Sequence, residues 1–470
     1  MLQELGNSPV PEARTLFAGG AELLVARAPG RLDLMGGIAD YSGSLVLQMP
    51  IREATMAAVE PIEKREIRIV SLPCGTDLRP PRTLHLALEE LEAGGRPIEY
   101  SEARKRFERR LEDRWAAYVV GVILVLMREK SAPFRSGLRL LIDSRVPEGK
   151  GVSSSAALEV AVMTAVAAAQ NLKLAAREIA LLCQKVENLV AGAPCGVMDQ
   201  MTAACGKENR LLALLCQPAK LQGFLIIPEE IAVTGIDSGV RHAVTGAAYG
   251  DVRAGAFVGY RMIADITKLP VAAGAKDGLV QIDDPRWGGY LANITPSEFE
   301  RRFMASLPED IAGAEFLAAY GGTTDEVTRI HPEKKYSVRT PTAHPIYENS
   351  RVRAFQELLR DHPDNSHFRQ LGELMYQSHA SYSACGLGEA RTDLLVDLSR
   401  RRGPASGVFG AKITGGGSGG TVAFLTLRKE GAGECIAAEF ARMTGETPHI
   451  FSGSSPGAAE FGILRLRKVS

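Results

Sequence analysis

The stretch Pro147-Glu-Gly-Lys-Gly-Val-Ser-Ser-Ser-Ala156, which runs on into AALEVAVMTAVAAA, constrains the fold more than any other segment. Two glycines and three hydroxyls stand directly before an alanine-rich apolar run that is comfortable only as a buried helix. The residues before them, GLRLLIDSRV, alternate like a half-buried strand, so the loop joins a strand to a helix. Glycine lets backbone N–H groups approach an anion, and a helix N-terminus adds unpaired donors and the positive end of its dipole. A bound phosphate suits this loop; a plain serine N-cap after a tight turn explains the segment, taken alone, equally well. It is not a Walker A loop, because Gly149-Lys150 is followed by Gly151 and the GxxxxGK[ST] spacing is missing.

Around this unit the chain reads as mixed α/β (α+β). Residues 25 to 58 predict a strand (VARA), a turn at Pro29-Gly30, a loop at Gly36-Gly37 and a second strand, LVLQMPI. Residues 100 to 130 pass from SEARKRFERRLEDR into WAAYVVGVILVLM, as one helix running from a solvated face into the core would. A further helix spans 175 to 190, with Ile179, Leu182, Cys183, Val186 and Leu189 at helical spacing and Gly192 and Pro194 after it. A turn and short helix follow over 195 to 206. From about 208 the texture changes to short strands, a Pro/Gly/Asp-rich stretch near 270 to 293, and helices near 350 to 400. A boundary near 207 gives two domains, 1–207 and 208–470.

Composition narrows the function classes. The 470 residues carry 55 Lys plus Arg against 55 Asp plus Glu, so no general field draws the chain to nucleic acid or to an anionic membrane. The first residues lack the layout of a signal peptide, and the longest apolar run, 117 to 127, is too short to span a bilayer. The seven cysteines (Cys74, Cys183, Cys195, Cys205, Cys216, Cys385, Cys435) include no CxxC pair and read as reduced, mostly core thiols of a cytoplasmic protein.

Three more clusters could carry chemistry. Thr414-Gly-Gly-Gly-Ser-Gly-Gly420 formally satisfies GxGxxG, yet only about 50 residues follow it, too few for a dinucleotide-binding half. Strand-like FGAKI and TVAFLTL flank it, so its glycines look built for close backbone approach. Cys195-Gly-Val-Met-Asp-Gln200 places Asp199 at a helix start, where an N-cap is the plain alternative. Arg27-Ala-Pro-Gly-Arg-Leu-Asp-Leu-Met-Gly-Gly-Ile-Ala-Asp-Tyr41 sets Arg31 and Asp40 on one loop, as a grip on a polyol or phosphate or as a surface ion pair.

Taken in this order, the segments resemble the GHMP family of small-molecule kinases, most closely its galactokinase branch. APGR with GGIADY, PEGKGVSSSA and ITGGGSGG match the family signatures. RWAAYVVGV, GAPCGVMDQ, AAYGDVR and ENSRV also look like galactokinase segments. The resemblance implies a two-domain fold, with an N-terminal domain like the second domain of ribosomal protein S5 and a ferredoxin-like C-terminal domain, and an active site between them. It implies ATP and Mg²⁺ as cofactors and a small sugar as substrate; the balanced charge and short apolar runs leave no nucleic-acid or membrane partner expected, and the sequence leaves the oligomeric state, monomer or weak dimer, open. Gly149, Lys150, Gly151, Ser153, Ser154 and Ser155 would then hold the ATP phosphates, with Gly416 and Gly417 closing the other side. Ser155 and Glu187 would hold Mg²⁺. Asp199 would be the general base and Arg31 would stabilise the moving phosphoryl group, while Gly37, Ile38, Asp40, Tyr41 and Tyr249 would surround the sugar.

One departure bears on the substrate. Galactokinases typically read GEHTDY where this chain reads Gly36-Gly37-Ile38-Ala39-Asp40-Tyr41. The Glu and His that the family directs at the sugar's exocyclic CH₂OH are therefore missing, and Ile38 could fill the space. L-Arabinopyranose has the galactose ring configuration without that group, and the segment from Ala28 to Ala54 resembles the kinase part of plant L-arabinokinases. Restoring Glu and His at 37 and 38 is expected to shift preference toward galactose.

Overall fold

In the computed structural model the described residues are 8–74, 80–241, 247–360 and 364–467. The N-terminal half is built on a mixed sheet. Its strands are β1 (Glu22–Met35), β2 (Leu45–Ile62), β3 (Glu66–Ser71), β4 (Arg82–Ala87), β5 (Gly137–Ser144), β6 (Arg210–Leu215) and β7 (Lys220–Ile226). β2 is long enough to pair with β5 along one part and with β6 of the β6–β7 hairpin along another, while β3 and β5 run parallel. Four helices cover one face: α1 (Ala117–Lys130), α2 (Ser154–Ala169), α3 (Ala176–Lys185) and α4 (Met198–Cys205). The alanines of α2 explain its place. With side chains this small on all sides it lies directly on β1 and β2 while α1, α3 and α4 pack against its other faces. Each large aliphatic side chain buried in this layer contributes about 1.5–3 kcal/mol.

The second half carries a four-stranded antiparallel sheet in the order β9–β10–β8–β11, formed by β8 (Ile231–Asp237), β9 (Val408–Ile413), β10 (Thr421–Leu427) and β11 (Ile450–Phe451). Helices α7 (Asn365–Ala384), α8 (Ala390–Arg402) and α9 (Ala432–Thr444) pack on it, as a ferredoxin-like half requires. Between α5 (Ala247–Ile266) and α6 (Arg339–Arg360) the chain makes an excursion with its own core, centred on Trp287, Phe299, Phe303 and Phe316.

Several expectations need correction. Pro29-Gly30 is no turn: β1 runs straight through it, with a register shift against β2 that absorbs the proline's missing donor. The single helix expected over 100–130 is broken into Tyr100–Arg109, a 3₁₀ stretch at Leu111–Ala116, and α1. The helix expected to 190 changes at Val186 into a π turn ending at Ala191. The first sheet also draws on residues after 207, namely β6, β7 and a C-terminal strand β12 (Leu464–Arg467) beside β1. Only Cys183 and Cys216 are buried, so the thiols are mostly not core residues, although none of the seven is in a disulfide.

Candidate active site

The loop between β5 and α2 has the backbone of an anion cradle. Gly149, Gly151 and Ser153 take φ of 74°, 69° and 65°, alternate left-handed positions that turn successive N–H groups to one side. For Ser153, a non-glycine, this conformation is strained, and its hydroxyl is buried without a partner. Beyond the loop opens a cavity of about 640 Å³, with Gly149, Ser154 and Ser155 at one end and Phe107, Trp115, Tyr118 and Leu158 along its wall.

A narrower cleft adjoins it, lined by Arg31, Ile38, Asp40, Gly151, Ser153 to Ser155, Glu187, Asp199, Tyr249, Gly415 and Gly416. The register shift in β1 aims Arg31 into this cleft, where it is 3% exposed. Its guanidinium grips Asp199 in a fork, Nε to Oδ1 and Nη2 to Oδ2 both at 2.9 Å, and donates through Nη1 to the Gly151 carbonyl at 2.6 Å. One arginine thus orients the carboxylate at the start of α4 against the anion cradle.

Glu187 sits in the π turn, a local unwinding that re-aims a side chain and is frequent at functional sites. Its hydrogen-bond partners are neutral: the Gln200 amide at 2.6 Å, the Ser155 hydroxyl and the Cys195 thiol. Burial among them, with Asp199 nearby, pushes its carboxyl up to about 7. Asp40 is raised to about 7 for the same reasons, burial first and the Asp199 charge second, with Arg253 opposing. A carboxyl raised in the folded state contributes stability that is complete below its ordinary range near 4 and lost as pH rises through about 7. From pH 6 to pH 8 each group should therefore cost about 1 kcal/mol. The ligand-free protein is expected to melt roughly 2–4 °C lower at pH 8 than at pH 6. A melting temperature that rises over this interval would contradict the assignment, and Asp40→Asn should flatten part of the slope.

Family models match two stretches of the chain. "GHMP kinases N terminal domain" covers residues 117–207 and "Galactokinase galactose-binding signature" covers residues 14–61. A galactokinase of Chloroflexus aggregans is 31% identical over 90% of this chain and 89% of its own length. The chain belongs to the GHMP kinase family. An L-arabinokinase of Arabidopsis thaliana is 45% identical over 96% of this chain, which spans about half (48%) of that relative's length. Among solved structures, the Lactococcus lactis galactokinase complexed with galactose aligns over 99% of this chain and 98% of its own, with a TM-score of 0.70 at 20% identity. The Methanococcus jannaschii mevalonate kinase aligns with a TM-score of 0.53 at 16% identity. The two-domain GHMP kinase fold expected from the sequence is thereby established.

Against the GHMP kinase signatures, most of the expected residues meet in one cleft. Arg31, Ile38, Asp40, Gly149, Gly151, Ser153, Ser154, Ser155, Glu187, Asp199, Tyr249 and Gly416 all line it, and Gly415 joins them. Four do not. Lys150 pairs with the buried Asp237 at 2.6 Å, which takes up its charge outside the cleft. Gly417 packs against Leu387. Tyr41 lies behind the wall, edge-on to Tyr249 at 6.0 Å and under the Arg253 guanidinium. Gly37 also stands behind it: at φ 42°, a Cβ there would overlap the Tyr382 hydroxyl and lie 2.7 Å from its ring carbon Cζ. Glutamate at 37 therefore does not fit unless Tyr382 moves, so the Glu and His exchange foreseen from the sequence cannot by itself restore a galactose pocket.

Residues that sequence reasoning missed hold the sugar loop from behind. Glu348 on α6 accepts the Gly36 N–H at 3.1 Å, and its neighbour Asn349 accepts that of Leu45 at 3.0 Å. Asp33 accepts the Gly37 N–H at 3.0 Å and the Gln48 amide at 2.6 Å, and pairs with Lys412 at 2.6 Å. The ENSRV segment signalled the first two; nothing local marked Asp33 or Lys412.

Proposed function

We propose that the chain transfers the γ-phosphoryl group of ATP to the anomeric hydroxyl of L-arabinose, giving L-arabinose 1-phosphate and ADP. The observation that carries this reading is the sugar-loop wall: apolar Ile38 lines the cleft that also holds Asp199 and Asp40, and Gly37 behind it has no room for a polar side chain. Such a wall offers no partner to a hydroxymethyl group and suits a pentose. The 45% identity to an L-arabinokinase supports the same choice.

In this reading Gly149, Gly151 and Ser153 to Ser155 hold the ATP phosphates at the start of α2, and the cavity wall of Phe107, Trp115 and Leu158 takes the base. Gly415 and Gly416 close the phosphate side. Ser155 and Glu187 suit Mg²⁺: they are hard oxygen donors, already hydrogen-bonded to each other, and Glu187 has no charged partner in that contact. When bound, Mg²⁺ would neutralise charge on the phosphate oxygens. Asp199 receives the proton of the anomeric hydroxyl, and Arg31 holds both carboxylate oxygens in place while its charge faces the phosphoryl group in transit. Asp40 and Tyr249 bind the ring.

D-Galactose brings a CH₂OH group to a wall that offers it neither a polar partner nor open space, so its kcat/KM is expected to lie at least about tenfold below that of L-arabinose. The galactokinases at about 30% identity make D-galactose the competing substrate. A catalytically silent sugar sensor is disfavoured, because the cradle, Glu187, Asp199 and Arg31 are all present and assembled. Phosphorus NMR of the product tests the position of transfer. Coupling of the phosphate to the anomeric proton is the expected result, and a phosphate on any other carbon would contradict the role of Asp199.

A further inference from the structure

We infer that Tyr382 is a positioning and specificity-determining residue, which holds the sugar loop in register and backs the wall that a substrate's exocyclic CH₂OH would meet; this rests on the sugar-kinase reading above. Tyr382 lies on α7, fully buried, with its ring edge-on to His344 at 5.3 Å and the Lys412 ammonium 5.2 Å from its centroid. Its hydroxyl accepts the Ile38 N–H at 2.8 Å and donates to the Gly415 carbonyl at 3.0 Å. A single oxygen thus ties the apolar residue of the sugar wall to the glycine turn on the phosphate side, two segments from opposite ends of the sequence.

The same oxygen stands where a side chain at 37 would begin. Gly37 and Tyr382 are therefore a matched pair: the tyrosine can reach Ile38 only because position 37 has no Cβ, and position 37 can take no side chain while the tyrosine stays. Where the galactokinase pattern carries glutamate, this chain has a ring entering from α7. It packs with Ile38, Leu387 and Ile413 in one apolar cluster, so the corner is closed from behind by buried hydrocarbon. The substrate class this favours is a pyranose with no exocyclic carbon.

Tyr382→Phe tests the pair by removing the hydroxyl and keeping the ring. The buried Ile38 N–H then loses its acceptor, and the loop that presents Ile38 loosens. The sugar KM should rise about tenfold, and the L-arabinose to D-galactose ratio of kcat/KM should fall at least fivefold. Gly37→Ala should act in the same direction, because its methyl displaces the hydroxyl. The double variant should lose less than the sum of the two losses, since both break the same contacts. A purely structural tyrosine would instead lower the melting temperature and leave both the KM and the sugar ratio within twofold, which would overturn the inference, as would full additivity. Should the unmodified protein phosphorylate no sugar, the kinase reading falls by itself. The same four proteins then report the pair through their melting temperatures, where less-than-additive losses support the contact and additive ones overturn it.

Discussion

Asp199→Asn should lower kcat by about 10² to 10⁴, the range a general base supplies, while changing the sugar KM little. Asparagine keeps one acceptor for Arg31 but loses the second charged contact of the fork and cannot take up the sugar's proton. Arg31 remains close to Asp33, which also favours its charged form, so the buried guanidinium is not left wholly uncompensated and the fold should survive with a modest loss of melting temperature. Single-turnover kinetics with saturating ATP separate the chemical step from binding. Retention of kcat within tenfold would remove Asp199 from the base role and leave it as an anchor for Arg31.

The second large effect concerns stability. Lys412 and Asp33 are both 0% exposed and meet at 2.6 Å, joining β9 to β1 across the two halves of the molecule. Removing one partner of such a pair leaves an uncompensated buried charge and costs about 3–5 kcal/mol. Lys412→Met should therefore destabilise strongly, because Asp33 would keep only neutral hydrogen-bond donors, the Gly37 N–H and the Gln48 amide, with the Arg31 charge nearby already shared with Asp199. Adding Asp33→Asn removes the orphaned charge and should recover part of the loss. Denaturant unfolding of the single and double variants gives both numbers. A Lys412→Met protein within 1 kcal/mol of the parent would show that the pair contributes no more than an exposed ion pair does.

The parts of the site legible in the sequence are those whose chemistry is local. A phosphate cradle needs glycines that tolerate positive φ next to hydroxyls at a helix start, and all of that lies within Gly149 to Ser155. Asp199 was visible because it sits in a short segment with its own turn signals, whereas Glu187 lies inside a helical run and was reached only through the resemblance to galactokinases. Lys412 was hidden, because FGAKI reads as an ordinary strand and its partner Asp33 lies 379 positions away. Tyr382 was hidden for the same reason: a hydroxyl on α7 that replaces a side chain at 37 leaves no periodicity to read. Local rules also misread Pro29-Gly30, where strand pairing on both sides of the register shift overrode the turn propensity of the dipeptide. The sequence left Lys150 open between a phosphate ligand and a solvated side chain; in the structure its ammonium pairs with Asp237 from the other sheet.

In the proposed function, a cleft walled by Ile38, with Tyr382 behind Gly37, selects a sugar lacking the exocyclic CH₂OH. The most direct test is kcat/KM for L-arabinose and D-galactose, measured by ADP release from purified protein with Mg²⁺-ATP, with D-xylose, D-glucuronate and no sugar as controls. A preference for L-arabinose of at least about tenfold is expected, because the closed corner has to yield before the CH₂OH of galactose fits. A preference for D-galactose would keep the kinase and contradict the pocket, and no turnover of any sugar would contradict the kinase itself.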